Sequence, residues 1–232
     1  MRLRRERVVD VAIALLDADG LDALTMRKLA TRLGVQAGAL YWHFAGKQAL
    51  LDAMADRFLE DFAADLPAGS WDEQLAAAGL RLRQVLLSHR DGARVMSGTY
   101  VAEPNTVLLG NMVIEILQAA GLPPDQAGWA AFAAFHYVLG HTIEEQAQIE
   151  LTEGGVWEPK LTVDGIENKL AATAFTADPA ERFGYGLQLF LDGIRQQLAL
   201  LPSAARAAAR PTASRPVAPD GRSPARRRAS EK

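Results

Sequence analysis

Apolar residues recur at every third or fourth position along most of this chain, a spacing that predicts amphipathic α-helices. Glycine and proline residues separate these stretches and mark the ends of successive helices. The predicted helices cover residues 5–18, 26–33, 36–44, 47–65, 70–88, 91–95, 104–120, 125–151 and 178–201. Residues 154–172 are predicted to form a loop and a short helix, and no stretch alternates long enough to predict a strand. The pattern therefore predicts an all-α fold.

Residues 25–47, with the sequence TMRKLATRLGVQAGALYWHFAGK, contain two short predicted helices joined by a tight turn. Thr25 precedes the first helix as an N-cap, because its hydroxyl can accept a hydrogen bond from a free amide of the first turn. Gly34 supplies the turn, where a left-handed backbone costs little without a Cβ atom. The positions that the two helices are expected to bury are Leu29, Leu33, Leu40 and Phe44. The segment thus predicts a helix-turn-helix, a motif that places its second helix in the major groove of DNA.

The composition excludes several classes of protein. Of the 232 residues, 49% are hydrophobic, but no apolar run approaches the length of a membrane span. The basic N-terminus, MRLRRER, leads into an amphipathic stretch interrupted by acids rather than into a signal peptide. The absence of cysteine excludes disulfides, thiolate metal sites and thiol chemistry, and it fits a reducing compartment. We therefore expect a soluble cytoplasmic protein.

The net charge of −3 conceals three segments of different sign. Residues 1–50 carry eight Lys and Arg against five Asp and Glu, whereas residues 51–201 carry nine against twenty-one. A basic segment on an acidic body is expected for a nucleic-acid-binding module joined to a domain that does not bind phosphate. Residues 202–232 carry eight against two and hold too few large apolar residues to fold, so we expect a disordered basic tail. Both an inert tail and one that attracts DNA fit this composition.

At this point the motifs resemble those of a known family. Residues 4–60, and above all the LYWHF segment with the lysine that follows it, look strongly like the N-terminal DNA-binding domain of the tetracycline-repressor (TetR) family. The segments SHRDGARVMSGT at 88–99 and FHYVLGHTIEEQ at 135–146 resemble the regulatory domain of the tetracycline repressor's own subgroup. The resemblance implies a homodimeric, all-helical repressor that a small molecule releases from a palindromic operator. It divides the chain into a helix-turn-helix domain at 1–46, a helical effector-binding and dimerisation domain at 47–201, and the tail.

Candidate DNA contacts lie within the helix-turn-helix. Arg27 has the planar guanidinium that can read a guanine edge, and Gln36 has the amide that can read adenine. The small face formed by Ala37, Gly38 and Ala39 can pack against thymine methyl groups. By the resemblance, the residues that hold phosphates are Thr25, Tyr41, Trp42, His43 and Lys47.

A packing role competes with DNA contact at several of these positions. Trp42 and Phe44 are favoured as packing residues over base contacts, whereas Tyr41 and Lys47 are favoured as phosphate contacts. His43 is equally compatible with either role. The small residues at 37–39 stand where the tetracycline repressor has larger or stiffer side chains, so its operator sequence is not expected here.

The predicted helix at 125–151 carries apolar and polar residues on one side. Trp129, Phe132, His136 and Gly140 recur there, which favours either a ligand cavity or packing against another helix in a dimer. We expect different faces of this helix to serve the two uses. By the resemblance, the region that contacts the effector includes Leu82, Met96, Thr99, Val113, His136 and Glu144.

Departures from the tetracycline repressor change the expected effector. That repressor binds its drug together with Mg²⁺, which a histidine ligates, and this chain has Met96 at the matching position. A thioether is a poor ligand for the hard Mg²⁺ ion. Ala78 and Val113 stand where the repressor has two drug-contacting amides. A lipophilic, metal-free effector is therefore expected, for example an antibiotic exported by an efflux pump whose gene the protein controls.

No motif predicts catalysis. The chain has no phosphate-binding glycine loop, no nucleophile elbow and no carboxylate pair at a recognisable spacing. His136 and His141 are five positions apart, so they do not share a helix face as paired metal ligands would, and no metal or cofactor is expected. The alternative to a ligand-released repressor is a DNA-binding activator or architectural protein without a small-molecule ligand.

Overall fold

A computed structural model describes residues 3–62, 66–99, 103–156 and 158–201, and the predicted tail at 202–232 lies outside the described residues. The helices, in chain order, are α1 (Arg5–Asp19), α2 (Met26–Leu33), α3 (Ala37–Tyr41), α4 (Lys47–Phe58), α5 (Trp71–Leu87), α6 (Gly92–Ser97), α7 (Pro104–Ala120), α8 (Pro124–Glu153) and α9 (Pro179–Leu200). A short π-helical turn at Ala171–Phe175 precedes α9. Within the described ranges, no helix is long and apolar enough to cross a membrane. The all-α prediction is confirmed.

Two helices are shorter than the sequence pattern predicts. The helix predicted at 36–44 is reduced to α3, and the helix predicted at 47–65 ends at Phe58. The backbone continues beyond Phe58 in tight turns, in which the Leu59 N–H donates to the Asp56 carbonyl at 3.1 Å. The apolar periodicity predicted longer helices because apolar residues beyond the ends of both helices are also buried. These residues are Phe44, Leu59 and Phe62.

A short β-hairpin lies between α8 and α9. Its strands, β1 (Thr162–Val163) and β2 (Ile166–Glu167), pair antiparallel. Asp164 and Gly165 form the turn with φ angles of 49° and 80°, the positive values that an Asp-Gly pair adopts readily in tight hairpins. The expectation that the chain has no strand is wrong for this hairpin, because strands of two residues are too short to show alternation.

Helices α1, α2 and α3 form what we call the head, and they pack together with the connecting helix α4. Apolar residues spaced three or four apart on each helix point into a core that is continuous with the core of the later helices. The completely buried side chains of this core include Val8, Leu16, Leu29, Leu40 and Met54. Leu33 was expected to be buried but is only half-buried, since it is the last residue of α2 and borders the turn.

Helices α5 to α9 form what we call the body. The longest helix, α8, packs against α5, α6, α7 and α9. Leu86, Leu117 and Phe183 are completely buried between these helices. α5 begins at a capping box in which the Glu73 carboxylate accepts the backbone N–H of Ser70 at 2.8 Å.

Polar contacts join the head and α4 to α6. The Asp91 carboxylate accepts the backbone N–H of Leu21 at 2.8 Å. At the other end of α6, the Gln48 amide donates to the Gly98 carbonyl at 2.9 Å. Both ends of α6 are therefore bonded to residues that precede or belong to α4.

Candidate DNA-binding surface and internal cavity

The helix-turn-helix has the local geometry that its residues predict. Thr25 has extended backbone angles, and its Oγ1 accepts the backbone N–H of Lys28 at 3.2 Å, so the predicted N-cap is confirmed. Gly34 adopts the left-handed conformation with a φ of 70° and ends α2. α3 follows as five residues, of which Gly38 is exposed and Ala37 and Ala39 are half-buried.

The predicted DNA contacts lie at exposed or half-buried positions of the head and at the start of α4. None of them is fully buried, although Ala37 packs against the apolar core. Trp42 is 90% exposed and Tyr41 is 55% exposed, whereas Phe44 is only 2% exposed. The packing interpretation is therefore confirmed for Phe44 and wrong for Trp42, because the helix ends before Trp42 and its indole projects away from the core. The fully or mostly exposed members of the predicted set are Thr25, Arg27, Gln36, Gly38, Tyr41 and Trp42, and the half-buried members are Ala37, His43 and Lys47.

Lys47 has a structural partner that its sequence position does not reveal. Its ammonium group donates to the carbonyl of Leu21 at 3.1 Å and so ties the start of α4 to the turn between α1 and α2. An ammonium group has two further donors, so this bond is compatible with a phosphate contact.

The basic residues at the start of α2 differ in how they are paired. Lys28 lies 2.9 Å from the Asp19 carboxylate, and the hydrogen bond and charge of Lys28 lower the pKa of Asp19. Arg27 is exposed, and no ion pair among the described residues includes it. Its guanidinium is therefore available to an external acceptor such as a guanine edge.

A cavity of about 350 Å³ lies in the body between α5, α6, α7 and α8. Five predicted effector contacts line it: Leu82, Met96, Thr99, Val113 and Phe132. Sequence reasoning missed other apolar lining residues, which include Leu59, Leu75, Leu109, Ile114, Phe135 and Val138. A volume of this size is typical of sites for small organic molecules.

The cavity lining is almost entirely apolar. In the described part of the chain, its only polar side chains are Thr99 and Thr106. The Thr99 hydroxyl donates to the Val95 carbonyl at 3.2 Å, and the Thr106 hydroxyl donates to the Glu103 carbonyl at 2.7 Å. Both hydroxyl protons are thus engaged within the protein, and each oxygen offers a ligand only acceptor lone pairs. An unpaired charge would lose its hydration in this cavity without compensation.

Three predicted effector contacts do not reach this cavity. Trp129 is 69% exposed, and His136 is exposed with its Nδ1 2.9 Å from the Phe132 carbonyl. Glu144 is also exposed and lines a separate groove between α8 and α9. Trp129 and Glu144 thus lie away from the lining, whereas the His136 ring packs edge-on against the lining residue Phe132, with ring centroids 4.1 Å apart.

The lining does not fit Mg²⁺. Magnesium requires oxygen ligands, commonly carboxylates, and no carboxylate or imidazole lines the cavity in the described ranges. Met96 is buried there with a thioether instead. Across the described residues, no group of three or more Asp, Glu or His side chains is placed to hold a metal ion.

A buried polar cluster lies on the opposite side of α8. Arg83 pairs with Glu145 through two hydrogen bonds, and the His141 Nδ1 is 3.7 Å from the same carboxylate. Burial lowers the pKa of His141, although the nearby Glu145 carboxylate raises it. Burial also raises the pKa of Tyr137, whose hydroxyl donates to the Phe183 carbonyl at 2.6 Å. The contacts of this cluster connect α5, α8 and α9.

Two family descriptions match successive parts of the chain. Bacterial regulatory proteins of the tetR family match residues 8–54, which include the helix-turn-helix. The tetracyclin repressor-like C-terminal domain matches residues 63–198, which include the cavity.

Individual proteins are similar over most of the described chain. The tetracycline repressor protein class G of Vibrio anguillarum is 44% identical over 149 residues, which are 63% of this chain and 70% of that protein. The structure of a possible TetR family transcriptional regulator from Streptomyces coelicolor A3(2) is 39% identical with a TM-score of 0.74, covering 84% of this chain and 100% of that one. The structure of ActR, a Streptomyces coelicolor TetR family protein in complex with (S)-DNPA, is 29% identical with a TM-score of 0.72, covering 85% and 100%. The chain belongs to the TetR family of bacterial transcriptional regulators.

Proposed function

We propose that the protein is a homodimeric repressor that a neutral, lipophilic small molecule releases from a palindromic DNA operator. The observation that supports this class of ligand is the apolar cavity of about 350 Å³, in whose described lining the hydroxyls of Thr99 and Thr106 both donate hydrogen bonds to backbone carbonyls. A ligand that fits it brings apolar surface and at most a few hydrogen-bond donors of its own.

The head supplies the DNA contacts. Arg27 and Gln36 are proposed to read base edges, and the small residues of α3 allow its close approach to thymine methyls. Tyr41 and Trp42 are proposed to contact the phosphates beside the groove, which their exposure supports.

An exposed stripe along α8 and α9 supports pairing with a second copy of the chain. Trp129, His136 and Gly140 of α8 are exposed, as are Tyr185 and Leu189 of α9. Large exposed apolar side chains on long helices favour a helix bundle, and a small residue such as glycine lets helices approach closely. In a twofold dimer the two heads would face successive major grooves, about 34 Å apart.

The ligand is proposed to act by population shift. It stabilises a body conformation in which the two heads no longer match the operator, and it can do so only as far as it binds that conformation better. We propose that the regulated gene serves drug efflux or antibiotic metabolism, because expression of such a gene is needed when the lipophilic compound itself is present.

A regulator without a ligand is the second candidate, and an enzyme is not proposed. In the described ranges no titratable side chain lines the cavity, so neither a general acid nor a general base is available there. We place the protein in the cytoplasm as a proposal, because that is where its DNA would be.

Thermal melting with defined compounds tests the proposal. N-phenyl-1-naphthylamine, a neutral fluorophore with one N–H donor, should raise the Tm of the wild-type protein by mass action, whereas tetracycline with MgCl₂ should not. A side chain added at Gly110 enters open space beside the cavity, so Gly110→Leu should abolish the shift and Gly110→Ala should retain it.

Release is measured with operator DNA selected from a random pool. In a mobility-shift titration, the compound that raises the Tm most should dissociate the complex. Intact operator binding with no Tm shift from any neutral lipophilic compound would support the regulator without a ligand instead.

A further inference from the structure

The start of α7 is capped by a residue of α4. Asp56 Oδ1 accepts the backbone N–H of Asn105 at 2.6 Å and that of Thr106 at 3.2 Å. The side-chain amide of Asn105 also bonds to Asp56: its Nδ2 donates to Asp56 Oδ2 at 3.0 Å and to the Asp56 backbone carbonyl at 3.2 Å. We call this set of bonds between Asp56, Asn105 and Thr106 the α4–α7 clamp.

The clamp replaces a cap that α7 lacks. Glu103 occupies the N-cap position, but its side chain makes no capping hydrogen bond. Its carboxylate instead pairs with Arg5 of α1 at 3.0 Å. The free amides at the start of α7 are therefore satisfied by Asp56, whose negative charge also favours the positive end of the helix dipole.

The clamp borders the ligand cavity. Thr106 belongs to the clamp and lines the cavity, and Leu59, three residues after Asp56, lines it as well. α4 then leads back to the head, where Leu50 and Met54 are buried in the head core. The Asp56 carboxylate therefore joins Thr106, a residue of the cavity lining, to α4, the helix that packs with the head.

We propose that Asp56 is a positioning residue that couples the ligand cavity to the DNA-binding head. The inference rests on the proposed function and deepens it, because it names the contact through which the cavity regulates the head. A charge-assisted hydrogen bond near 2.6 Å weakens steeply when it is stretched, so a displacement of the start of α7 pulls the end of α4 with it. Linkage makes the coupling reciprocal: DNA bound at the head must also alter α7.

A cap elsewhere in the chain provides a matched control. Asp178 Oδ1 accepts the backbone N–H of Ala180 at 2.6 Å and caps α9. α9 packs against α5 and α8, and its cap comes from its own N-cap residue rather than from α4. Asp178→Ala therefore removes the same kind of bond without touching the clamp.

Hydrogen exchange of the full-length protein, with and without selected operator DNA, tests the coupling. We expect DNA to change the exchange of the α7 amides at 108–114 by at least threefold in the wild-type protein and in Asp178→Ala. In Asp56→Ala the change should be lost, although the variant still binds operator. Asp56→Asn, which keeps one acceptor oxygen, should restore part of it.

The same variants are then titrated with N-phenyl-1-naphthylamine. Saturating compound should raise the operator Kd at least tenfold for the wild-type protein and Asp178→Ala, and less than threefold for Asp56→Ala. An equal DNA-induced change in exchange in Asp56→Ala and the wild type, or none in the wild type, would overturn the coupling role. A compound that fails to bind the wild type contradicts the proposed ligand class alone, since the DNA arm needs no ligand.

Discussion

Arg83 and Glu145 form a bidentate ion pair across α5 and α8, with Arg83 Nε 2.8 Å from Glu145 Oε2. Their side chains are only 11% and 6% exposed, and the guanidinium lies 5.3 Å from the centre of the Phe183 ring. A buried charge without its partner is strongly unfavourable, whereas a matched apolar pair can replace both residues at little cost.

Breaking this pair should destabilise the body. We expect Arg83→Met alone to lower the free energy of unfolding by about 3–5 kcal/mol. Arg83→Met combined with Glu145→Leu should be more stable than either single variant. Urea unfolding at one fixed protein concentration measures both, and Glu150→Gln, which breaks the exposed pair with Arg90, should cost no more than about 1 kcal/mol. A double variant as unstable as the single ones would contradict this account.

Arg27 should contribute to operator affinity through a base edge. Arg27→Ala is expected to weaken binding to the selected operator by about 1–3 kcal/mol and to relax specificity at one base position. Arg195→Ala is the control for the loss of one positive charge, since Arg195 pairs with Asp72 and Asp192 in the body. Equal footprints for Arg27→Ala and the wild type would exclude the base contact.

Trp42 and Phe44 should have opposite effects, although they are two positions apart. Trp42→Ala is expected to weaken operator binding while leaving the free energy of unfolding within about 0.5 kcal/mol, since its indole is 90% exposed. Phe44→Ala should lower the free energy of unfolding by about 3–5 kcal/mol, because it empties a buried site. Chemical unfolding and fluorescence anisotropy with labelled operator separate the two effects, and a Trp42→Ala variant with normal affinity would contradict the phosphate contact.

His141 should make stability depend on pH. Burial lowers its pKa in the folded protein below the ordinary value of 6.5, so the unfolded chain binds a proton that the folded chain does not. The free energy of unfolding should therefore fall as the pH drops through 6.5 towards the lowered folded-state pKa. Urea unfolding between pH 5 and pH 8 should show a shallower slope for His141→Gln than for the wild type, and identical slopes would rule this histidine out as a cause.

Local sequence patterns predict most helices because their causes are local. Thr25 and Gly34 determine the ends of α2 through bonds within a few residues, and both could be identified from residue type. The Asp56–Asn105 contact could not, since it joins residues 49 positions apart, and nothing near either residue indicates the partner.

The cavity was only partly predictable. Resemblance identified Met96 and Val113, whereas an apolar residue such as Leu75 has the same helical spacing whether it faces a core or a cavity. α8 has apolar residues on more than one face, and Phe132 and Trp129 are both largely exposed, so its pattern did not show that Phe132 lines the cavity and Trp129 does not.

The engaged hydroxyls of Thr99 and Thr106 determine how the regulator would rank its ligands. Because the described lining residues offer no free donor or charge, the cavity discriminates mainly by shape and apolar area, and its polar preference is limited to ligand donors that the two threonine oxygens can accept. Each additional buried methylene is worth about 0.8 kcal/mol, or about fourfold in affinity, until the space is filled. Chemically unrelated compounds of similar shape and lipophilicity would then act as similar signals, so the cell would respond to a physical property that different molecules share.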